Sequence, residues 1–338
     1  MDIMQLPTRP AGWNDLIQPY LTKTLFHEST WLDHIQSIYP GTVIEYFKIT
    51  ENSQIIGYFC ALRLQKFFLS IYGSPLGGTG TEYMGPLVRN VTNHQLELIS
   101  GLVDLCKKNK IIHFELCADW LDPALMETLG FVGHSNVTHL CVLPSDQESA
   151  WKSLKSTCRN RIRKAEKNQL VAELTDDPAI VDHYYSQCRE VYAKQGMAVP
   201  YAKERPLSLF HHLLPADRLF PVWVRLGDKI IASGLFPHDN RCVYFWGGAS
   251  WSSYHCLYPN EALHWTVMRL AISRNIPQYN MCGGESPFKN KFGGLDVPYI
   301  TYSKSFSPCL GIARKAYRAS HFYKLKLLGK LRRSKASA

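Results

Sequence analysis

The sequence predicts an α+β protein built from two similar halves, each a mixed, mostly antiparallel sheet flanked by helices. Three observations predict it. One order of elements, from meander to helix to strand, occurs twice along the chain. β-like runs are separated by short turns rich in Gly, Asp and Asn. After each meander comes a long helical segment, as Leu96, Ile99, Val103 and Cys106 show in the first half by their spacing.

In the first half, residues 43–49 form a strand, 50–54 a turn and 55–64 a second strand, with further β-like sequence to Tyr72. A Gly/Pro-rich loop leads through Gly85-Pro86 to a helix over 93–110, then to a strand over 111–117. A short helix over 123–129 stops at Gly130, a residue suited to the left-handed end of a helix, and a strand over 137–143 closes the half. The second half opens with helices over 148–167 and 178–195. A hairpin follows over 220–226 and 229–236, turning at Gly227-Asp228, and 241–247 adds a strand. A helix over 260–274, a strand over 278–282, a loop and a strand over 299–306 complete the repeat. Residues 125–131 of the first half thus fall where 288–294 fall in the second. The implied domains are 1–145 and 146–310, with a C-terminal tail over 311–338.

The 338 residues carry a formal charge of +10, which favours an anionic partner: nucleic acid, an acidic lipid surface, or a phosphate-bearing substrate. Ten scattered cysteines lack C-x-x-C spacing and read as reduced, mostly buried thiols. No charged leader with an apolar core and no run near the ~18 apolar residues of a membrane span is present, so a cytoplasmic protein is expected. Kinase, metalloenzyme and hydrolase readings find no Gly-rich phosphate loop, zinc cluster or nucleophile elbow to rest on, and no metal site is expected.

The loop from Tyr279 to Gly294 holds the densest chemistry. A β-like run stops at Gly283-Gly284, and Lys289 then stands between Phe288 and Phe292. A lysine against apolar rings is suited to stabilise an oxyanion, or to lose its proton and act as a base. A second signal is the run Arg159, Arg161, Arg163, Lys164 and Lys167 on one helix, where four-residue spacings spread cations over a face that suits phosphate. Residues 314–333 alternate basic and apolar side chains, a pattern for anionic lipid or tRNA.

Trp151-Lys152-Ser153-Leu154 with the basic run Arg159–Lys167, then Tyr258-Pro259-Asn260-Glu261-Ala262-Leu263-His264-Trp265, then Phe288-Lys289-x-x-Phe292-Gly293, resemble in the same order the FemAB-like and BioF2-type acyltransferases. The doubled layout is likewise similar to tandem domains of the GNAT fold. That resemblance implies attack of an amine on an activated acyl carbon to give an amide, without a protein nucleophile. Lys289 is then the lysine of the family's Phe-Lys loop, placed to stabilise the developing charge. The implied donor is an acyl-CoA or acyl-carrier thioester, with aminoacyl-tRNA as the alternative, and no cofactor is tightly bound. The implied acceptor is an amine on a cell-envelope or polysaccharide precursor, small or lipid-linked, with peripheral contact at the inner membrane face through the basic tail. Arg159, Arg163 and Lys164 are candidate phosphate contacts, and Tyr258, Phe288 and Phe292 candidate walls of the substrate groove. For the base, His255, Glu261, His264 and Asp296 all lie near one part of the predicted fold. The simple acetyl-CoA loop, Gln/Arg-x-x-Gly-x-Gly/Ala, is missing from residues 247–259, which disfavours an ordinary small acetyltransferase. A tRNA-dependent aminoacyl transferase and a non-catalytic GNAT-like module for nucleic acid or membrane stand as alternatives.

Overall fold

The computed structural model describes residues 1–66, 69–89, 94–284 and 286–307; the basic tail expected over 311–338 lies outside the described residues. The chain divides into two compact units, Met1–Asn136 with the segment beginning at Pro298, and Val137–Val297. The unit boundaries fall inside two strands, so the strand expected over 299–306 counts with the first unit.

The first unit contains β1 (Asp2–Leu6), α1 (Trp13–Ile17), α2 (Ser29–Ile38), β2 (Thr42–Glu51), β3 (Gln54–Lys66), β4 (Leu69–Ser74), β5 (Leu87–Val88), α3 (Gln95–Lys108), β6 (Ile111–Leu116), α4 (Pro123–Thr128) and the start of β7 (Val132–Val142). Strands β1, β2, β3 and β4 pair antiparallel in sequence order, and β6 joins β4 in parallel. The parallel step needs a crossover, which α3 supplies. Leu98, Ile99, Leu102, Val103 and Cys106 on one face of α3 pack into the core with Phe47, Phe59 and Phe114. Asp122 caps α4 by accepting from the Leu125 N–H at 2.9 Å, and Gly130 follows the helix with φ +75°. This is the stop read from the sequence.

The second unit contains the rest of β7, then α5 (Gln147–Ser153), α6 (Ser156–Lys167), β8 (Leu170–Leu174), α7 (Ala179–Lys194), α8 (Glu204–Leu213), β9 (Leu219–Leu226), β10 (Lys229–Pro237), β11 (Cys242–Tyr244), β12 (Gly247–Ser250), α9 (Pro259–Ser273), β13 (Gln278–Asn280) and the start of β14 (Leu295–Ser305). Two expected elements are divided. The helix over 148–167 breaks at Leu154, which is extended and buried, and the Lys155 N–H donates to the Lys291 carbonyl at 3.0 Å instead of continuing a helix. The strand over 241–247 also changes partner midway. β11 runs parallel to β13, whereas β12 pairs antiparallel with β10. The two neighbours diverge after Phe245, whose N–H still reaches the Asn280 carbonyl at 2.8 Å. Helix α9 is buried nearly all round because α6 covers one side and β8, β9 and β10 the other.

Nine cysteines among the described residues are free thiols, seven of them buried, with Cys282 half-buried and Cys256 exposed. Among the described residues no helix is long and apolar enough to cross a membrane.

Candidate functional site

The first turn of α9, the face of α6 and the loop after β13 meet at Glu261. Tyr258 precedes α9 in the left-handed region, φ +63°, and Pro259 opens the helix where a missing N–H costs nothing. Glu261, third in the helix, is 4% exposed, and its Oε1 accepts from Lys291 Nζ at 2.5 Å and Arg161 Nη1 at 3.0 Å. Lys291 is buried as well, and its ammonium sits 4.0 Å from the centre of the Phe288 ring.

The lysine framed by the aromatic rings is therefore Lys291. An extended loop would have set Lys289 between Phe288 and Phe292, but Lys289–Phe292 form a 3₁₀ turn. Such a turn eclipses residues three apart, so Lys291 lies over Phe288. Lys289 points to the other side, where its ammonium donates to the carbonyls of Cys282 at 2.5 Å, of Gly283, and of Gly284 at 3.3 Å. It staples the segment that follows β13.

Two glycines fix the far end of this turn. Gly293 adopts φ +84°, and a Cβ there would lie 2.6 Å from the Ser153 carbonyl; at Gly294 one would lie 2.6 Å from Nε2 of His139. Only glycine lets the loop approach α5 and β7 so closely.

His264 is fully buried among Phe236, Phe245, Phe288 and Phe292, with Nδ1 2.5 Å from the Tyr279 hydroxyl. Burial, reinforced by Lys291 and Lys289, pushes its pKa down to about 3. It is a neutral core imidazole. His255 is exposed, and its Nε2 lies 3.0 Å from the Ser250 hydroxyl at the end of β12. Asp296 accepts from Nδ1 of His139 at 2.8 Å.

On α6 the cations separate by role. Arg159 donates back to the carbonyls of Lys152, at 3.1 Å, and Leu154, closing the helix break. Arg161 and Lys164 stand over the Tyr258 ring at 5.4 and 5.8 Å, whereas Arg163 stacks on Trp151 at 5.3 Å. The structure thus groups Tyr258, Glu261, Lys164, Phe288 and Phe292, and leaves Arg159, Arg163 and His255 outside that cluster. Sequence reasoning counted Arg161 only within the basic run of α6, not among the individual substrate contacts, and did not single out Lys291. The signal for Arg161 was its place beside the buried stripe Cys158, Ile162 and Ala165; for Lys291 it was its three-residue distance from Phe288.

A second cluster lies on α7, α8 and the approach to β12. Arg205 sits 5.3 Å from the ring centres of both Tyr201 and Trp246, and the Tyr201 and buried Tyr184 hydroxyls are 2.6 Å apart. In the first unit, Glu51, His94 and Glu97 bring one possible metal-ligand atom each to within 4.8 Å of one another.

Residues 152–290 match the family described as the acetyltransferase (GNAT) domain. FemX matches with a TM-score of 0.73 at 11% identity, over 92% of this chain and 98% of that one. L-PGS from Bacillus licheniformis gives 0.55 at 8%, over 93% and 97%, and a tandem GNAT protein from the clavulanic acid biosynthesis pathway gives 0.53 at 8%, over 91% and 99%. No curated protein matches the chain in sequence. The matched domain over residues 152–290 and the fold support an acyltransferase. In fold, the chain is similar to FemX.

Proposed function

We propose that this acyltransferase moves an acyl group from a thioester, acyl-CoA or acyl carrier, to an amine of a cell-envelope or polysaccharide precursor, forming an amide. The observation that carries this reading is the divergence of β11 and β12 beside the cationic cluster on Glu261. β12 pairs with β10 alone among the described strands, so its outer edge offers backbone donors and acceptors to an extended acyl-donor arm. The positive face formed by Arg161 and Lys164 over Tyr258 suits the donor's phosphates, with Arg163 and Arg159 further along α6. The tandem GNAT protein of the clavulanic acid pathway was solved without AcCoA, so a thioester is the ligand considered for that neighbour, and this supports a thioester donor here.

In this reading the amine attacks the acyl carbon and Lys289 exchanges a carbonyl partner for the oxyanion. Phe288 and Phe292 exclude water from the loop, and the amine gives up its proton before or during attack. Arg205, held between Tyr201 and Trp246, suits an anionic group of the acceptor. FemX and L-PGS as fold neighbours support an envelope acceptor, either small or lipid-linked, reached from a cytoplasmic or membrane-peripheral position. The same neighbours keep aminoacyl-tRNA as the second donor, for which the basic α6 face provides phosphate contacts.

The test is amide formation followed by mass spectrometry with acetyl-CoA, a long-chain acyl-CoA or aminoacyl-tRNA as donor, against amino sugars and short peptides. Turnover with an acyl-CoA supports the proposal; turnover with charged tRNA alone moves the chain to aminoacyl transfer. Binding without turnover for every pair sinks both.

A further inference from the structure

We infer that Asp296, oriented by His139, binds the ammonium of the incoming acceptor and takes its proton; this rests on the amide-forming reaction proposed above. An amine acceptor is cationic at neutral pH, and it must enter a chain with net charge +10 whose site already presents Arg161, Lys164, Lys289 and Lys291. A carboxylate without a Lys or Arg partner is needed to receive it. Glu261 does not qualify, because one of its oxygens already serves two cations.

Asp296 does. Among the described residues its partner is His139, whose Nδ1–H donates to Oδ1 at 2.8 Å, and its side chain keeps 26% exposure. The histidine itself is 1% exposed, and its Nε2 has no hydrogen-bond partner among the described residues. A buried nitrogen left unpaired carries a desolvation cost that an apolar residue in the same place would avoid. What the imidazole provides in return is one directed bond that fixes the carboxylate.

The pair also lies against the reactive loop. Met281 N–H donates to the His139 carbonyl at 2.8 Å, and Gly284 N–H to the Val137 carbonyl at 3.1 Å, so β7 carries the same segment, residues 282–284, whose carbonyls hold Lys289. Gly294 rests on the imidazole edge. One stretch of chain thus has a cation for the oxyanion at one end and an anion for the amine at the other.

The step balances simply. The ammonium passes one proton to Asp296, and the freed nitrogen pair forms the C–N bond. The tetrahedral adduct then collapses, the bond from carbon to the donor's sulfur or oxygen breaks, and the leaving group departs with the second N–H proton. Asp296 returns its proton to water. His139 is a positioning residue here, and Asp296 the catalytic one.

The test uses the full chain with the donor and acceptor pair that turns over. Asp296→Asn should lower kcat by about 100-fold at pH 7, and the deficit should shrink toward about pH 10, where the acceptor amine is free without help. His139→Asn, which keeps a short amide donor facing Asp296, should retain more activity than His139→Phe. Asp296→Asn with near wild-type kcat, or with a loss that does not change with pH, overturns the inference while leaving amide transfer intact. A wild-type chain inactive with every donor overturns both readings together.

Discussion

The Nζ of Lys291 lies 2.5 Å from Oε1 of Glu261, and both side chains are more than nine-tenths buried, at the start of the helix that runs through the second unit. Two opposite charges withdrawn from water hold a loop, a helix N-terminus and, through Arg161, the basic helix α6 in one place. Pairing repays desolvation only while every partner is present.

Removing one partner is accordingly costly. Lys291→Met leaves a buried carboxylate with Arg161 alone, and should cost about 3 kcal/mol in urea unfolding. The double variant Lys291→Met with Glu261→Gln removes both charges and should recover most of that loss. Equal destabilisation by the single and double variants would show that packing, not charge, sets the cost.

The glycines of the loop separate by geometry. Gly293→Ala forces a Cβ into the left-handed region and within 2.6 Å of the Ser153 carbonyl, for an expected cost of about 3 kcal/mol. Gly283 has nothing within 4 Å of its Cβ position, so Gly283→Ala should change stability by less than about 0.5 kcal/mol. Thermal unfolding of the two variants decides whether the close approach is obligatory.

Acid should weaken the fold through three buried histidines. Burial holds His264 down to about 3, and His27 and His238 down to about 4. Each is neutral when folded and protonates below about pH 6.5 when unfolded. The stability they contribute is complete above that value, and is lost as the pH falls toward the folded values. The slope is about 1.4 kcal/mol per pH unit for each histidine. Urea midpoints measured from about pH 7.5 to 5 should therefore fall, and His264→Phe should flatten the curve by one proton. A level profile across this range contradicts the neutral, buried state of these rings.

Lys289 and Arg161 should fail in different ways. Lys289→Ala should lower turnover by about 100-fold and leave donor-induced thermal stabilisation in place. Arg161→Ala should weaken binding of a phosphate-bearing donor by about 10-fold and reduce its salt dependence. Loss of donor stabilisation in Lys289→Ala would assign that lysine to binding.

Most of the fold was legible in the sequence because local rules govern its elements. Ile99, Val103 and Cys106 lie inward on α3 as the helical period requires, although Leu96, in the first turn, stays exposed. Gly130 and Gly293 both end short helices in the left-handed region, the echo read between 125–131 and 288–294. The order Arg159–Lys167, Tyr258–Trp265 and Phe288–Gly293 pointed to the acyltransferase class before any distance was known. Tertiary structure alone decided where charges came to rest. Lys291 rather than Lys289 lies against the rings because a 3₁₀ turn rotates the loop, and Arg161 becomes part of the site because Glu261, a hundred residues away, lies opposite its face of α6. The breaks at Leu154 and after Phe245 were likewise hidden, since at the first the Lys155 N–H turns to the distant Lys291 carbonyl, and after the second the chain leaves β13 to pair with β10. Periodicity records the partners a residue has nearby, and these contacts depend on partners that only the folded chain brings together.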